Sequence, residues 1–269
     1  MIAAAAAAGA LMLSPASAHA DGPITYTVEP FDFDGDFGIS MTVTQDQFGG
    51  RMCPCEKIPY PADGFHNQQG ADAIAQVPFK AGDTLMGFSL GAQVVSLFLS
   101  QHTLPPGVKV LLAGDTFARN KELVAAGQGI PVDIANPVTM VANEYDGWSD
   151  TPTDTSSPNW LLAEVNAAVG TQHLHYYANA DPADPANVVT QQGNITAVLV
   201  PTQQLPINDF LRGWADSTAD DLDTQERPLI DDAYSRPGST PEQQKAAAAQ
   251  QVPYPNPAWP SKPEPAAAQ

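Results

Sequence analysis

Positive charge is scarce in this sequence: 11 Lys and Arg stand against 30 Asp and Glu, a formal net charge of -19. A polyanionic partner would be repelled, which excludes an electrostatic nucleic-acid binder and argues against docking on anionic lipid headgroups by charge alone. Charged residues make up only 15% of the 269 residues, below the usual quarter, while 43% are hydrophobic. That apolar content supports a sizeable core and excludes wholesale disorder. Beyond the N-terminal leader, no stretch approaches the roughly 20 apolar residues that a membrane-spanning helix needs. Cysteine is nearly absent as well, with Cys53 and Cys55 separated only by Pro54. Outside the cytoplasm such a pair tends to oxidise, yet a bridge across one residue closes a small ring that disulfide geometry tolerates poorly, so the pairing stays open. A C-x-C zinc half-site would lack the second pair of thiols that completes it.

Proline, by contrast, is plentiful, and its distribution divides the chain. Residues 1–20 form an apolar, Ala-rich run ending in Ala18-His19-Ala20, the small-residue cleavage pattern of a secretory signal peptide. The expected mature chain starts near Asp21 and is exported. Residues 237–269 carry prolines every few positions, together with Tyr254 and Trp259, and read as an extended tail unable to pack as helix or strand. One domain of about 215 residues is left between them, 21–236, a comfortable size for an α/β fold.

Within that domain four short apolar runs recur: Thr84 to Phe88, Val108 to Ala113, Pro137 to Ala142 and Ile195 to Val200. Runs apolar at nearly every position suit strands buried on both faces, as in a parallel sheet. Leu90 to Ser100 reads as a buried helix, and Pro158 to Val169 as another, with Ser157 as cap and Pro158 in the first turn. The alternation predicts an α/β sandwich of three layers around a mainly parallel sheet. Upstream, two β-like pieces within Ile24 to Thr44 flank Asp32, Asp34 and Asp36. Their spacing suggests an EF-hand loop, but Phe37 and Val43 occupy the positions that need Gly and Glu, so a solvated acidic turn is expected.

The chemistry centres on Gly87-Phe88-Ser89-Leu90-Gly91, a G-x-S-x-G pentapeptide between an expected strand and an expected helix. That context makes it a nucleophile elbow: a tight turn presents the Ser89 hydroxyl at the sheet edge, and the flanking glycines relieve crowding. The Leu90 N–H and the helix N-terminus would face a developing oxyanion. A hydrolase acid follows the nucleophile in the chain, and Asp146 ends the apolar run P-V-T-M-V-A-N-E-Y-D at the same sheet edge, with Glu144 and Asp150 as neighbouring alternatives. The base must come later still, leaving His173 and His175 in T-Q-H-L-H-Y-Y; His66 and His102 precede the acid. If that piece is extended, both side chains share a face and the residues alone do not separate them. The competing use of this pair is a metal site with Asp181 or Asp184, which has weaker support.

Several segments, in order, resemble the PE-PPE domain, a serine hydrolase module of mycobacterial proteins related in fold to cutinases. They are K-I-P-Y-P-A-D, G-D-T-L-M-G-F-S-L-G-A-Q, N-E-Y-D-G-W-S-D-T-P, V-G-T-Q-H-L-H-Y-Y, V-L-V-P-T-Q-Q-L-P-I-N-D-F-L-R and P-L-I-D-D-A-Y-S-R-P. The resemblance covers about Lys57 to Pro237. It implies an α/β-hydrolase-type fold with Ser89 as nucleophile, Asp146 as acid and His175 as base, because His175 falls at the family's apolar-then-His position after Leu174. The family's Gly-Thr-rich loop, source of a second oxyanion donor, has no clear counterpart; Gly49 and Gly50 are weak substitutes. The expected activity is that of a secreted or envelope-associated esterase acting on small or lipid-like acyl esters, with no cofactor or metal. The rival readings are an acyltransferase that passes the acyl group to a sugar such as trehalose, and a non-catalytic wall-associated protein.

Overall fold

The computed structural model describes residues 22–31, 44–115, 120–175, 177–202 and 204–234. The leader, the acidic turn at Asp32, Asp34 and Asp36, and the Pro-rich tail lie outside the described residues. Seven strands form one sheet: β1 (Thr25–Val28), β2 (Cys55–Lys57), β3 (Thr84–Phe88), β4 (Lys109–Ala113), β5 (Val138–Asn143), β6 (Val188–Gln192) and β7 (Ile195–Val200). Their order is β2-β1-β3-β4-β5-β7-β6, parallel throughout except for the β6–β7 hairpin. Parallel pairing forces the chain to return to the starting edge between strands, so the segments that follow β1 to β5 and β7 all leave from one side, the carboxyl edge.

The apolar runs become strands because both faces of the sheet are covered. In β4, Val110 and Leu112 join a core cluster with Val28, Leu85, Val94, Val95 and Phe98. Their neighbours Leu111 and Ala113 point the other way, into a second cluster with Phe48, Met86, Phe88 and Tyr177. That strict alternation is the strand period of two, with apolar residues needed on both sides. The first face packs α1 (Asn67–Ile74) and α2 (Leu90–Gln101). Among the described residues the second face is covered by a kinked segment at Thr44–Gly50 and a 3-10 turn at Tyr177–Asn179. A further short helix, α3, spans Asn120–Ala125.

Beyond the carboxyl edge, α4 (Trp160–Ala168), a 3-10 segment (Pro206–Leu211) and α6 (Asp216–Asp231) gather around their own small core. Tyr145, Ala163, Leu205, Ile230, Ala233 and Tyr234 fill it. The short α5 (Thr171–His175) leads from this group back to the sheet. α4 begins two residues later than expected, so Asn159 rather than Ser157 stands at its N-cap; Ser157 accepts a hydrogen bond from the Asn159 N–H at 3.1 Å and donates to Asp232 at 2.6 Å. Cys53 and Cys55 are joined by a disulfide at the start of β2.

Candidate active site

Ser89 links β3 to α2 with φ 55° and ψ -121°, a conformation that an L-residue adopts only where the surroundings enforce it. The surroundings here are two glycines. A Cβ on Gly91 would lie 2.1 Å from the Val28 carbonyl oxygen and 2.6 Å from that of Glu29, and one on Gly87 would lie 2.7 Å from the Ala92 Cα. The elbow thus seats α2 directly against the end of β1, with the Ser89 N–H donating to the Ala113 carbonyl at 2.9 Å. Leu90 and Gly91 open α2, at positions whose N–H groups have no acceptor within the helix.

The imidazole beside Ser89 is that of His173. Its Nε2 lies 2.7 Å from Ser89 Oγ, and its Nδ1 lies 3.0 and 2.9 Å from the two Asp146 carboxylate oxygens. The carboxylate can only accept, so Nδ1 carries the proton and Nε2 is left to accept from the serine hydroxyl. This corrects the assignment of His175, which the family resemblance implied. Residues 171–175 are helical rather than extended: the N–H groups of His173 and Leu174 both donate to the Gly170 carbonyl at 3.1 Å. A helical backbone lacks the two-residue repeat on which the expected shared face depended. The His175 side chain lies outside the described part of the structure.

Two rings flank the His173 imidazole nearly parallel to it, Phe88 at 5.3 Å and Trp148 at 4.8 Å between centroids. Gly114 makes room at its edge, since a Cβ there would lie 2.9 Å from His173 Cε1. Asn143, at the end of β5, holds α5 in place by donating from Nδ2 to the Gln172 carbonyl at 3.0 Å.

Asp146 is fully buried, and its oxygens accept from more than the imidazole. The Trp148 N–H donates to Oδ1 at 2.8 Å and the Tyr177 hydroxyl to Oδ2 at 2.6 Å. The Ser149 hydroxyl lies 2.8 Å from Oδ2 and 2.9 Å from the Tyr177 oxygen, and can hand its proton to either. Burial on its own raises the carboxyl pKa; electrostatic attraction to His173 and the bonds from His173, Tyr177 and Trp148 more than offset that and hold it below the usual range. Burial and the Asp146 charge push the Tyr177 phenol well above its ordinary value, so it stays protonated and can donate.

The alternative acids have other duties. Glu144 accepts from the Thr202 N–H at 3.0 Å and pairs with Arg227 at 3.4 Å, and Asp150 accepts from the Tyr145 N–H at 2.9 Å. Asp181 and Asp184, weighed as metal ligands, cap local turns through Ala183 and Ala186 N–H groups. Among the described residues no group of three or more His, Cys, Asp and Glu side chains is placed to hold a metal ion. Gly49 and Gly50 are both left-handed, φ 68° and 71°, in the turn that carries Phe48 into the core. Sequence reasoning missed Tyr177, Ser149 and Trp148. Their one signal was position, an aromatic just after the histidines and a Gly-Trp-Ser run just after the acid.

A model of the PE-PPE domain family matches residues 68–235. The diacyltrehalose acyltransferase Chp2 of Mycobacterium tuberculosis is 28% identical over 174 residues, which are 61% of this chain. The match spans 45% of that relative's length. A solved structure described as a YdeN-like hydrolase from Pectobacterium atrosepticum aligns with 77% of this chain and 93% of its own, at a TM-score of 0.37 and 15% identity.

Proposed function

This chain belongs to the PE-PPE domain family, and on that premise we propose that it is an exported enzyme acting on carboxylic esters through an acyl-serine intermediate. The observation that carries the reading is the continuous path from Ser89 Oγ through His173 to Asp146, at 2.7 Å and 2.9 Å. In the proposed reaction Ser89 Oγ attacks the ester carbonyl while His173 Nε2 takes its proton. The C=O electron pair moves onto oxygen, and the oxyanion is met by the Leu90 N–H at the start of α2. Collapse re-forms the carbonyl and expels the alcohol, which receives the proton from Nε2 and leaves the acyl group on Ser89. Asp146 keeps the proton-bearing Nδ1 turned toward itself and stabilises the imidazolium. Water activated by the same Nε2 then releases the acid.

An acyltransferase shares every step up to the acyl-enzyme and differs only in the acceptor. It is the second reading because the Mycobacterium tuberculosis relative carries that name, although that protein is more than twice as long as the matched region. No helix among the described residues is long and apolar enough to cross a membrane.

Labelling with a fluorophosphonate probe tests the nucleophile: the wild-type chain is expected to label and Ser89→Ala is not. On p-nitrophenyl esters, His173→Ala is expected to lose at least about a thousandfold in kcat, in line with removal of a triad base, while His175→Ala keeps most of its activity. The reverse pattern would overturn the assignment of the base. Turnover that appears only after a sugar acceptor is added would favour the transferase.

A further inference from the structure

Among the described residues four Phe and Trp side chains are exposed: Phe65 at 91%, Trp148 at 49%, and Phe210 and Trp214 at 72% each. All four lie on segments that leave the carboxyl edge of the sheet. Phe65 lies between β2 and α1, in the stretch where the Tyr60 hydroxyl donates to the Glu29 carbonyl at the end of β1. Trp148 stacks on His173. Phe210 and Trp214 follow β7, on the segment whose Ile207 N–H donates to Asn166 of α4. Leu161 and Val165, four residues apart on α4, are exposed as well. The edge that presents Ser89 is therefore also the edge that shows aromatic rings to solvent.

Trp214 is the most telling of them. Its indole N–H donates to the Phe210 carbonyl at 2.8 Å. An exposed tryptophan ordinarily turns that polar group to water and shelters its ring; here the polar group faces its own backbone and hydrocarbon is left outside. We infer that Phe210 and Trp214, with the aromatic rim of the carboxyl edge, form a docking surface for an uncharged lipid–water interface that brings ester lipid to Ser89. Charge selects that occupant. With a net charge of -19, the chain repels both anionic headgroups and a second copy of itself. Asp209 and Asp216 bracket the two rings in sequence, which adds local repulsion against the same two. Neutral or zwitterionic lipid lets the rings enter an apolar layer without that penalty.

The inference rests on reading this edge as an ester-cleaving site, and the experiment separates the two. Full-length Ser89→Ala, which cannot turn over lipid, is mixed with phosphatidylcholine vesicles and with phosphatidylglycerol vesicles, and the bound fraction is measured by flotation. Binding to the phosphatidylcholine vesicles is expected. It should fall by at least about tenfold when Phe210→Ser and Trp214→Ser are added, the scale set by removing two large apolar side chains from an apolar layer. In the Ser89-intact chain the same two substitutions should leave hydrolysis of a soluble short-chain ester unchanged. Failure to bind phosphatidylcholine, preference for phosphatidylglycerol, or undiminished binding by the Phe210→Ser, Trp214→Ser variant would each overturn the surface while leaving the fluorophosphonate result standing. A solution dimer that these two substitutions dissociate would assign the rings to a second copy and also overturn it. Vesicle binding by a chain that does not label would retain the surface and remove the catalytic reading.

Discussion

Tyr177 ties the proposed acid to the sheet. Its hydroxyl donates to Asp146 at 2.6 Å and accepts from the Asn143 backbone N–H at 3.0 Å. Removing it by Tyr177→Phe withdraws one donor from a buried carboxylate and orphans one backbone N–H. Because the folded Asp146 carboxyl sits below its ordinary value, its ionised form contributes stability that is fully present above about pH 4, the unfolded carboxyl pKa, and is lost as pH falls through the lower folded value. Tyr177→Phe brings the folded value nearer to the unfolded one. The variant should therefore be less stable at neutral pH by about 2 kcal/mol, the scale of a hydrogen bond to a charged group. That deficit should narrow on acidification below about pH 4, leaving only the pH-independent part due to Asn143. Urea titrations at neutral and acid pH would check it, and a deficit that does not change with pH would exclude the Asp146 link. On ester substrates kcat should fall by about tenfold, with KM little changed, if Tyr177 acts by holding Asp146 rather than by touching substrate.

At the level of elements, the elbow depends on how closely α2 approaches β1. Gly91→Ala would drive a Cβ to 2.1 Å from the Val28 carbonyl oxygen, a backbone atom that cannot swing aside. A loss of about 3 kcal/mol or more is expected, against almost none for Gly22→Ala, where nothing lies within 4 Å of the added carbon. Denaturant midpoints of the two variants would compare them; equal midpoints would mean that α2 can shift without cost. The same elements explain what could be read from the sequence. Thr84–Phe88 and Ile195–Val200 are strands with the ends their apolar runs predict, and Leu90 starts α2 as expected, because burial on both faces keeps these runs apolar at nearly every position. The elbow was visible for the same reason, as a motif set between two such elements. Residues 171–175 were not, because the helix there is one turn long and set by Gly170, Asn143 and the packing of Phe88 and Trp148 on His173 rather than by any periodicity. That local turn decided which histidine meets Ser89. The bond from Tyr177 joins it to Asp146 across 31 positions of the chain, and no spacing rule reports it.

For the molecule as a whole, the excess of 30 acidic over 11 basic residues sets the sign of its response to salt. Two opposing effects compete. Salt weakens attractive pairs such as Arg212 with Asp220, which is exposed, and with Asp223, while Arg227 and Glu144 pair in a largely buried setting that salt hardly reaches. Salt also weakens repulsion among acids that outnumber the basic residues, as along α6, whose sequence D-S-T-A-D-D-L-D-T-Q-E-R-P-L-I-D holds six carboxylates and one arginine. Raising sodium chloride from about 0.01 M to about 0.15 M shortens the screening length from about 30 Å to about 8 Å, enough to separate acids on different elements from one another. The repulsive sum is the larger, so the folded chain should gain stability, with Tm rising by roughly 2–4 °C if the gain is about 1 kcal/mol for a domain of this size. A Tm that falls over that range would mean that ion pairs such as Arg212 with Asp220 and Asp223 outweigh the repulsion among the acids. Attachment to phosphatidylcholine should hold or strengthen over the same range, because screening relieves repulsion while the contact made by Phe210 and Trp214 is apolar and loses nothing to it.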